Sequence, residues 1–374
     1  MKDTPGETVV VAMSGGVDSS VAAALLKQRG FNVIGVTLQI WPSDTPTEGQ
    51  GCCSLDAVED ARRVANLLGI PHYVLNMREE FERSVIADFL DEYSRGRTPN
   101  PCIRCNEQVK FSALLRKAQA LGADRLATGH YARIGRDPAG RFTLLKAADP
   151  RKDQSYVLYM LGQAELARLE FPLGEMAKKD ARTVAREMGL PVWRKPDSQE
   201  ICFVGTGGHR AFLAQRRPET AVPGDILDTS GRRLGTHGGA AGFTIGQRKG
   251  IGVAAAEPLY VVDIDTERNI ITVGPWQELL ATSARVSAVR WVSGVPPTRP
   301  IAVTCKVRYN MREVPATVRP LPAGEWELEF VTPERAPTPG QAAVFYEGET
   351  VLGGGTIESV CRGARQPVEG GVQQ

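Results

Sequence analysis

The string Ser14-Gly-Gly-Val-Asp-Ser19 follows a continuous apolar run, residues 8–13 (TVVVAM). It precedes a helix read from about Asp18, with Val21, Leu25 and Leu26 on one face and Gly30 as its stop. An unbroken apolar strand belongs in a sheet that is buried on both faces. Glycines between such a strand and a helix let the backbone turn sharply and aim its N–H groups inward. The positive end of the helix dipole lies behind them, so the pocket suits a phosphate or pyrophosphate. Asp18 cannot attract phosphate itself; its expected task is to hold a Mg²⁺ that the phosphates share. A Gly-Gly turn alone would be only a tight connection, whereas the six-residue string at a first strand–helix junction points to a nucleotide. The loop lacks the lysine of a G-x-x-x-x-G-K-[ST] string, so it is not a cradle of that type.

Strand and helix patterns alternate through the first half of the chain. Residues 32–41 and 70–77 read as further strands, and residues 55–68 as a helix ended by Gly69. Residues 79–93 and 107–121 read as two more helices, and residues 125–134 as another strand. Such alternation implies an α/β domain built on a mostly parallel, doubly wound sheet. The character changes near residue 204, where Gly205-Thr-Gly-Gly opens a stretch rich in glycine, proline and short β-branched segments. From about Ala284 the pattern is antiparallel β. Val303, Cys305, Val307 and Tyr309 there alternate with Thr304, Lys306, Arg308 and Asn310, giving one apolar and one polar face. The expected organisation is a parallel-sheet domain over residues 1–204, a small central β-rich domain over 205–283 and a C-terminal β-barrel or sandwich over 284–362. Residues 363–374 are expected to fray.

With 374 residues, 42% hydrophobic and 24% charged, the chain has ordinary globular composition and enough length for two or three domains. A net charge of +2 gives no whole-molecule electrostatic case for nucleic-acid binding, which leaves only a local basic patch. Residues 1–8 lack the apolar stretch of a signal peptide, and no apolar run reaches the roughly 18 residues of a membrane helix. Seven cysteines are too few and too scattered for a secreted disulfide framework, so a reducing cytoplasm is expected.

Cys102 and Cys105 fall in Thr98-Pro-Asn-Pro-Cys-Ile-Arg-Cys-Asn106, read as a proline-stiffened loop leading into a helix. A thiol near a helix N-terminus with Arg104 beside it is expected to be reactive. Cys202, in Asp197-Ser-Gln-Glu-Ile-Cys-Phe203, lies 97 positions beyond Cys105 (202 − 105), so only folding can bring the two together. Zinc is the weaker reading of Cys102 and Cys105, because a structural site wants four ligands and no second C-x-x-C or H-x-x-x-H string exists. Cys305, on the apolar face of its strand, reads as core, and Cys361 as incidental. Adjacent Cys52 and Cys53 would point opposite ways in an extended backbone.

SGGVDSSVAAALL, GRTPNPCIRCN, ATGHYAR, KDQSY, DSQEICF, GQRKGIG and KVRYN follow one another in the order found in the tRNA-specific 2-thiouridylases of bacteria and mitochondria. These belong to the ATP pyrophosphatase (PP-loop) superfamily, and the chain resembles them from about residue 8 to residue 360. The phosphate loop alone would fit several families; its combination with N-P-x-x-x-C-N and the later I-C-F cysteine is specific. The resemblance implies a sulfurtransferase using ATP and Mg²⁺. ATP adenylates the C2 oxygen of the wobble uridine (position 34) of tRNA, and sulfur from a cysteine persulfide replaces that oxygen, giving 2-thiouridine, AMP and pyrophosphate. It implies that Ala12, Met13, Ser14, Gly15, Gly16, Val17, Asp18, Ser19 and Leu38 line the ATP site, and that Gly129 closes over the adenylate. Asn100, Pro101 and Cys102 match positions that contact the target base. Cys105 matches the catalytic nucleophile and Cys202 the sulfur carrier. His130, Lys152, Asp153, Gln154, Arg308, Tyr309 and Gln341 match tRNA-contacting positions, although Arg308 taken alone reads as an ordinary charge on a solvated strand face. The implied partners are the anticodon arm of tRNA, typically those for lysine, glutamate and glutamine, and a cysteine desulfurase or sulfur-relay protein as donor. No membrane is involved.

One position departs from the family's better-known pattern: Cys102 stands where an aspartate is thought to act as acid or base. Cys102, Cys105 and Cys202 therefore make a three-cysteine set that can hold a [4Fe–4S] cluster with one iron open to sulfur, an alternative to the persulfide route. Two further readings stay in view. One is a small-molecule adenylating enzyme without sulfur chemistry; the other is a non-catalytic RNA-binding or iron–sulfur protein.

Overall fold

A computed structural model describes residues 6–41, 55–197, 201–205 and 207–362, so the expectations for Cys52, Cys53 and the tail lie outside the described residues. The first part of the chain forms β1 (Thr8–Ala12), α1 (Val17–Gln28), β2 (Asn32–Gln39), α2 (Leu55–Leu68) and β3 (His72–Asn76). Two long helical stretches follow, α3 (residues 78–94) and α4 (residues 101–120), and then β4 (Arg125–Thr128). After the hairpin β5 (Arg133–Arg136) and β6 (Phe142–Leu145) come the short α5 (Gln163–Leu166), β7 (Leu169–Glu170) and α6 (Lys178–Glu187). The five strands β3-β2-β1-β4-β7 pair in that order, all parallel. Val9 and Val11 enter one core with Val21, Leu26, Val64 and Ala185, while Val10 enters the other with Phe81, Phe89 and Leu114, which is why β1 is apolar on both faces from Val9 onward. The strand order reverses between β1 and β4, and the Ser14–Ser19 turn leaves the carboxyl end of β1 at that crevice, where open α/β sheets bind ligands.

Two elements differ from the sequence reading. The strand expected over residues 125–134 divides at Gly129. A Cβ there would lie 2.7 Å from Asp18 C and Ser19 N, so the backbone passes flush against α1 and then turns into another sheet. The helix expected from Glu107 starts instead at Pro101. Asn100 caps it by accepting from Ile103 N–H at 3.4 Å, and Pro101 fits the first turn, where no N–H is needed. Cys102 and Cys105 are thus helical. At Cys105 the helix widens to π-type turns through Leu114, the kind of local expansion that often marks functional sites.

Beyond α7 (Gly208–Arg216), β8 (Gly224–Asp228), β9 (Arg233–His237), β10 (Tyr260–Asp265) and β11 (Ile270–Gly274) form a small sheet in the order β10-β11-β8-β9. The last part comprises β12 (Leu280–Trp291), β13 (Ile301–Lys306), β14 (Val314–Pro320), β15 (Trp326–Arg335), β16 (Ala342–Glu347) and β17 (Thr350–Cys361). These pair as β12-β15-β14-β13-β16-β17, and β17 pairs back onto β12 to close an antiparallel barrel. Closure removes the free edges of the six strands. Cys305 lies in its interior with no exposure, as its alternation implied, and burial pushes its thiol up to about 12. The β5–β6 hairpin extends the barrel sheet through β17, and Ala342, Val344, Tyr346 and Val351 join the α/β core. The barrel is therefore fixed against the first domain by packing as well as by chain connection.

Candidate active site

Gly15 sits at φ +66°, a conformation that costs an L side chain, and a Cβ there would lie 2.2 Å from Ala57 O. That close approach folds the loop tightly onto the start of α2. Ser19 Oγ accepts from Ser14 N–H at 3.1 Å and also reaches Gly16 O at 3.3 Å, so the hydroxyl stands over the loop's N–H groups. Met13 and Leu38 are buried, and Met13 N–H continues the sheet by donating to Val36 O at 2.8 Å. Ala12 closes β1, and Gly16 and Val17 open α1.

Asp18 is engaged by neighbouring protein groups. Lys178 Nζ donates to both carboxylate oxygens at 2.7 Å, and the Tyr131 hydroxyl donates to Oδ1 at 2.7 Å, while the side chain stays about one-third exposed. Lys178 also reaches Asp197 at 2.9 Å, and Lys152 and Arg182 meet the same Asp197 carboxylate at 2.8 Å each. Lys195 donates to Gly15 O at 3.1 Å and pairs with Asp60 at 2.7 Å. Burial pushes the Asp197 carboxyl up, but hydrogen bonds from Lys152 and Lys178 outweigh this and hold it down to about 2. The sequence reading missed Lys178, Arg182, Lys195 and Asp197 as site residues. One signal was present: a lysine at the first position of a helix opposes the helix dipole and so calls for a nearby anion.

Cys102 is exposed at the head of α4, whereas Cys105 and Cys202 are half-buried and both pack against the same core. Phe203 fixes the second of these: it is 4% exposed and meets Phe81, Phe89 and Phe212 edge-on at 5.6, 5.1 and 5.3 Å. Asn106 fixes the first, donating from Nδ2 to Val157 O at 2.8 Å. Among the described residues no group of three or more His, Cys, Asp or Glu side chains is arranged to hold a metal ion. As placed, Cys102, Cys105 and Cys202 are not a ready set of cluster ligands.

The positions matched to tRNA contact fall into two groups. Tyr309, 38% exposed, lies by Gln154, Asp153 and Cys102: burial, then the charges of Asp153 and Cys102, push its phenol up. The others are engaged internally. Asp153 accepts from Ala147 N–H, Ser155 N–H and Ser155 Oγ. Gln154 pairs with the Tyr131 backbone in both directions, and Lys152 is held by Asp197. Arg308 does not lie on a solvated strand face. β13 ends at Lys306, and the guanidinium turns inward to donate to Ile245 O and Thr338 Oγ1. Gln341 Nε2 donates to Thr98 O at 2.8 Å and Pro99 O at 3.3 Å, so the barrel grips the backbone just ahead of Asn100.

His130 is enclosed by Phe111 and Phe171, and its Nδ1 lies 2.6 Å from Thr128 Oγ1. Burial, then Lys110, lowers its pKa well below the usual imidazole range. His72, His209 and His237 are also lowered, burial being the largest cause at each, so all four histidines resist protonation. Above pH about 6.5 these groups are neutral in both the folded and unfolded chain. Below it the unfolded chain binds protons that the folded one refuses, so stability falls as pH drops toward 5. Urea titrations at pH 7.5 and 5.5 are expected to show a lower midpoint at pH 5.5. His130→Gln narrows the difference; an unchanged gap would remove His130 as a contributor.

No described helix is long and apolar enough to cross a membrane. Three family models match consecutive parts of the chain. They are described as a tRNA methyl transferase HUP domain (residues 7–206), a tRNA methyl transferase PRC-barrel domain (210–275) and an aminomethyltransferase β-barrel domain (281–357). A "tRNA-specific 2-thiouridylase MnmA" of Geobacter metallireducens is 51% identical over 364 residues, 96% of this chain and 99% of that protein. Its namesake from Moorella thermoacetica is 53% identical over 359 residues, 94% of this chain and all of that protein. A solved 4-thiouridine synthetase–RNA complex with bound ATP superposes with a TM-score of only 0.34, at 20% identity, over 57% of this chain and 51% of that one, which is too slight to carry an argument. The likeness to the thiouridylases, by contrast, runs through the phosphate loop, both cysteine strings and the barrel, and on it the chain belongs to the tRNA-specific 2-thiouridylase family.

Proposed function

We propose that this chain is an ATP-dependent tRNA-uridine 2-sulfurtransferase that replaces the C2 oxygen of a wobble uridine with sulfur. The observation that carries the reading is one crevice lined by the Ser14–Ser19 loop and its cations, in a fold that also sets Cys105 and Cys202 against a single core. A urea-like C2 oxygen leaves poorly, and adenylation converts it into an AMP leaving group. The loop N–H groups, the α1 dipole, Lys178 and Lys195 favour the pyrophosphate that departs. Mg²⁺ carried with ATP would share the phosphates with Asp18 and offset their charge.

The outer sulfur of a Cys202 persulfide attacks C2 and expels AMP, which leaves that sulfur bonded to C2 and still joined by its S–S bond to the Cys202 sulfur. The Cys105 thiolate then attacks the Cys202 sulfur. The C2–sulfur bond stays as the thiocarbonyl, and a Cys105–Cys202 disulfide forms for a thiol reductant to reset. At that stage the two sulfurs stand about 2 Å apart. The uridine must leave its stack to reach the crevice, at a cost of a few kcal/mol. Tyr309 and Cys102, at the seam between barrel and α4, are the side chains proposed to receive it. The substrates are tRNAs with a wobble uridine, typically those for lysine, glutamate and glutamine, and the donor is a cysteine desulfurase or a sulfur relay in the cytoplasm.

Protein purified without oxygen, given unmodified tRNA, ATP, and a cysteine desulfurase with free cysteine as the persulfide donor, is expected to form 2-thiouridine equally well before and after iron chelation. Activity that vanishes on chelation and returns with iron and sulfide would overturn the persulfide route. It would make Cys102, Cys105 and Cys202 the ligands of a [4Fe–4S] cluster.

A further inference from the structure

Three cations, Lys152 from a loop and Lys178 and Arg182 one turn apart on α6, converge on the single carboxylate of Asp197 within 2.9 Å. One of them, Lys178, simultaneously holds Asp18 at the entrance to α1, so the cluster borders the phosphate loop directly. Lys195 adds a fourth cation through Gly15 O, balanced by Asp60. Four cations thus face three carboxylates, Asp18, Asp60 and Asp197. One carboxylate is a poor match for three converging cations; an anion of higher charge, with more oxygens, matches them better. Lys152 and Arg182 are 40% and 32% exposed, and the Asp197 carboxylate is 26% exposed, so an incoming anion has access without unpacking the core.

We infer that Asp197 is an internal competitor for pyrophosphate: its carboxylate occupies the cation cage of Lys152, Lys178 and Arg182, and must yield that cage when pyrophosphate is present. The cage then receives the leaving group after adenylation, and the return of Asp197 helps expel it. Asp197 is a positioning residue here, acting through the cations. The inference rests on the proposed release of pyrophosphate at the Ser14–Ser19 loop.

The test is calorimetric titration of the full chain with magnesium pyrophosphate, without tRNA or any sulfur source. A competitor that fills the cage nine-tenths of the time lowers apparent affinity about tenfold, so Asp197→Asn and Asp197→Ala are both expected to bind pyrophosphate about tenfold more tightly than wild type. Lys178→Met is expected to bind it at least about tenfold more weakly. Equal or weaker binding in both Asp197 variants, with melting curves like wild type, would overturn the inference and make Asp197 an organiser of the cations. Absence of binding in every variant would overturn it too. Because no tRNA or sulfur enters the titration, a failure of the thiolation reading leaves this result standing, and the converse holds.

Discussion

Cys202→Ser is expected to abolish 2-thiouridine formation, by roughly 10³-fold or more, while tRNA-dependent release of pyrophosphate from ATP continues for one turnover. On the proposed mechanism the two halves of the reaction use different residues. Adenylation needs the Ser14–Ser19 loop and its cations; sulfur delivery needs a thiol that carries a second sulfur, which a hydroxyl cannot do. Serine is close to cysteine in shape, and the neighbouring Phe203 stays anchored among Phe81, Phe89 and Phe212, so the fold should persist. Mass spectrometry of digested tRNA reads the product, and a pyrophosphate assay reads the first step. Cys105→Ser should also stop turnover, but with sulfur trapped between Cys202 and the nucleotide. Cys305→Ser is the control: it lies in the barrel core and should alter stability rather than sulfur chemistry. Thiolation above about a tenth of wild type in Cys202→Ser would remove that residue as the carrier.

Much of this site was legible because its parts are local. The run 8–13, the glycines after it and the helix behind them are adjacent in the chain, and their periodicities state the strand–turn–helix directly. The start of α4 was misplaced because two prolines read as loop, although Asn100 one residue ahead of Pro101 is an ordinary helix cap. Arg308 was misread because period-two alternation holds only while the strand lasts, and β13 ends two residues earlier. The cation cage, apart from the signal of Lys178 at its helix start, was out of reach for another reason. Lys152, Lys178, Arg182 and Asp197 come together only when α6 and its flanking loops fold beside α1, and charge pairs carry no periodic trace in sequence. The same holds for the β5–β6 hairpin, whose pairing with β17 spans about two hundred residues and depends on the docked barrel.

Gly15→Ala should damage the same crevice from the opposite side, by removing the loop rather than the sulfur. The positive φ of Gly15 would cost an alanine about 1 kcal/mol by itself. The larger problem is contact: the new methyl would lie 2.2 Å from Ala57 O and 2.7 Å from Ala57 Cα, and both are backbone atoms that no rotamer change can move. Either α2 shifts away from the loop or the loop unwinds, and each disperses the N–H groups that face the phosphates. Gly16→Ala makes the matched comparison, because its φ is −98° and its nearest neighbour, Ser14 Oγ, is at 3.5 Å, an ordinary contact. ATP affinity measured by calorimetry should therefore fall by about 100-fold or more in Gly15→Ala, with the melting temperature lower by several degrees, and change little in Gly16→Ala. Equal behaviour of the two variants would mean that the turn tolerates a side chain at either glycine. The tight approach of the loop to α2 would then have no part in holding the nucleotide.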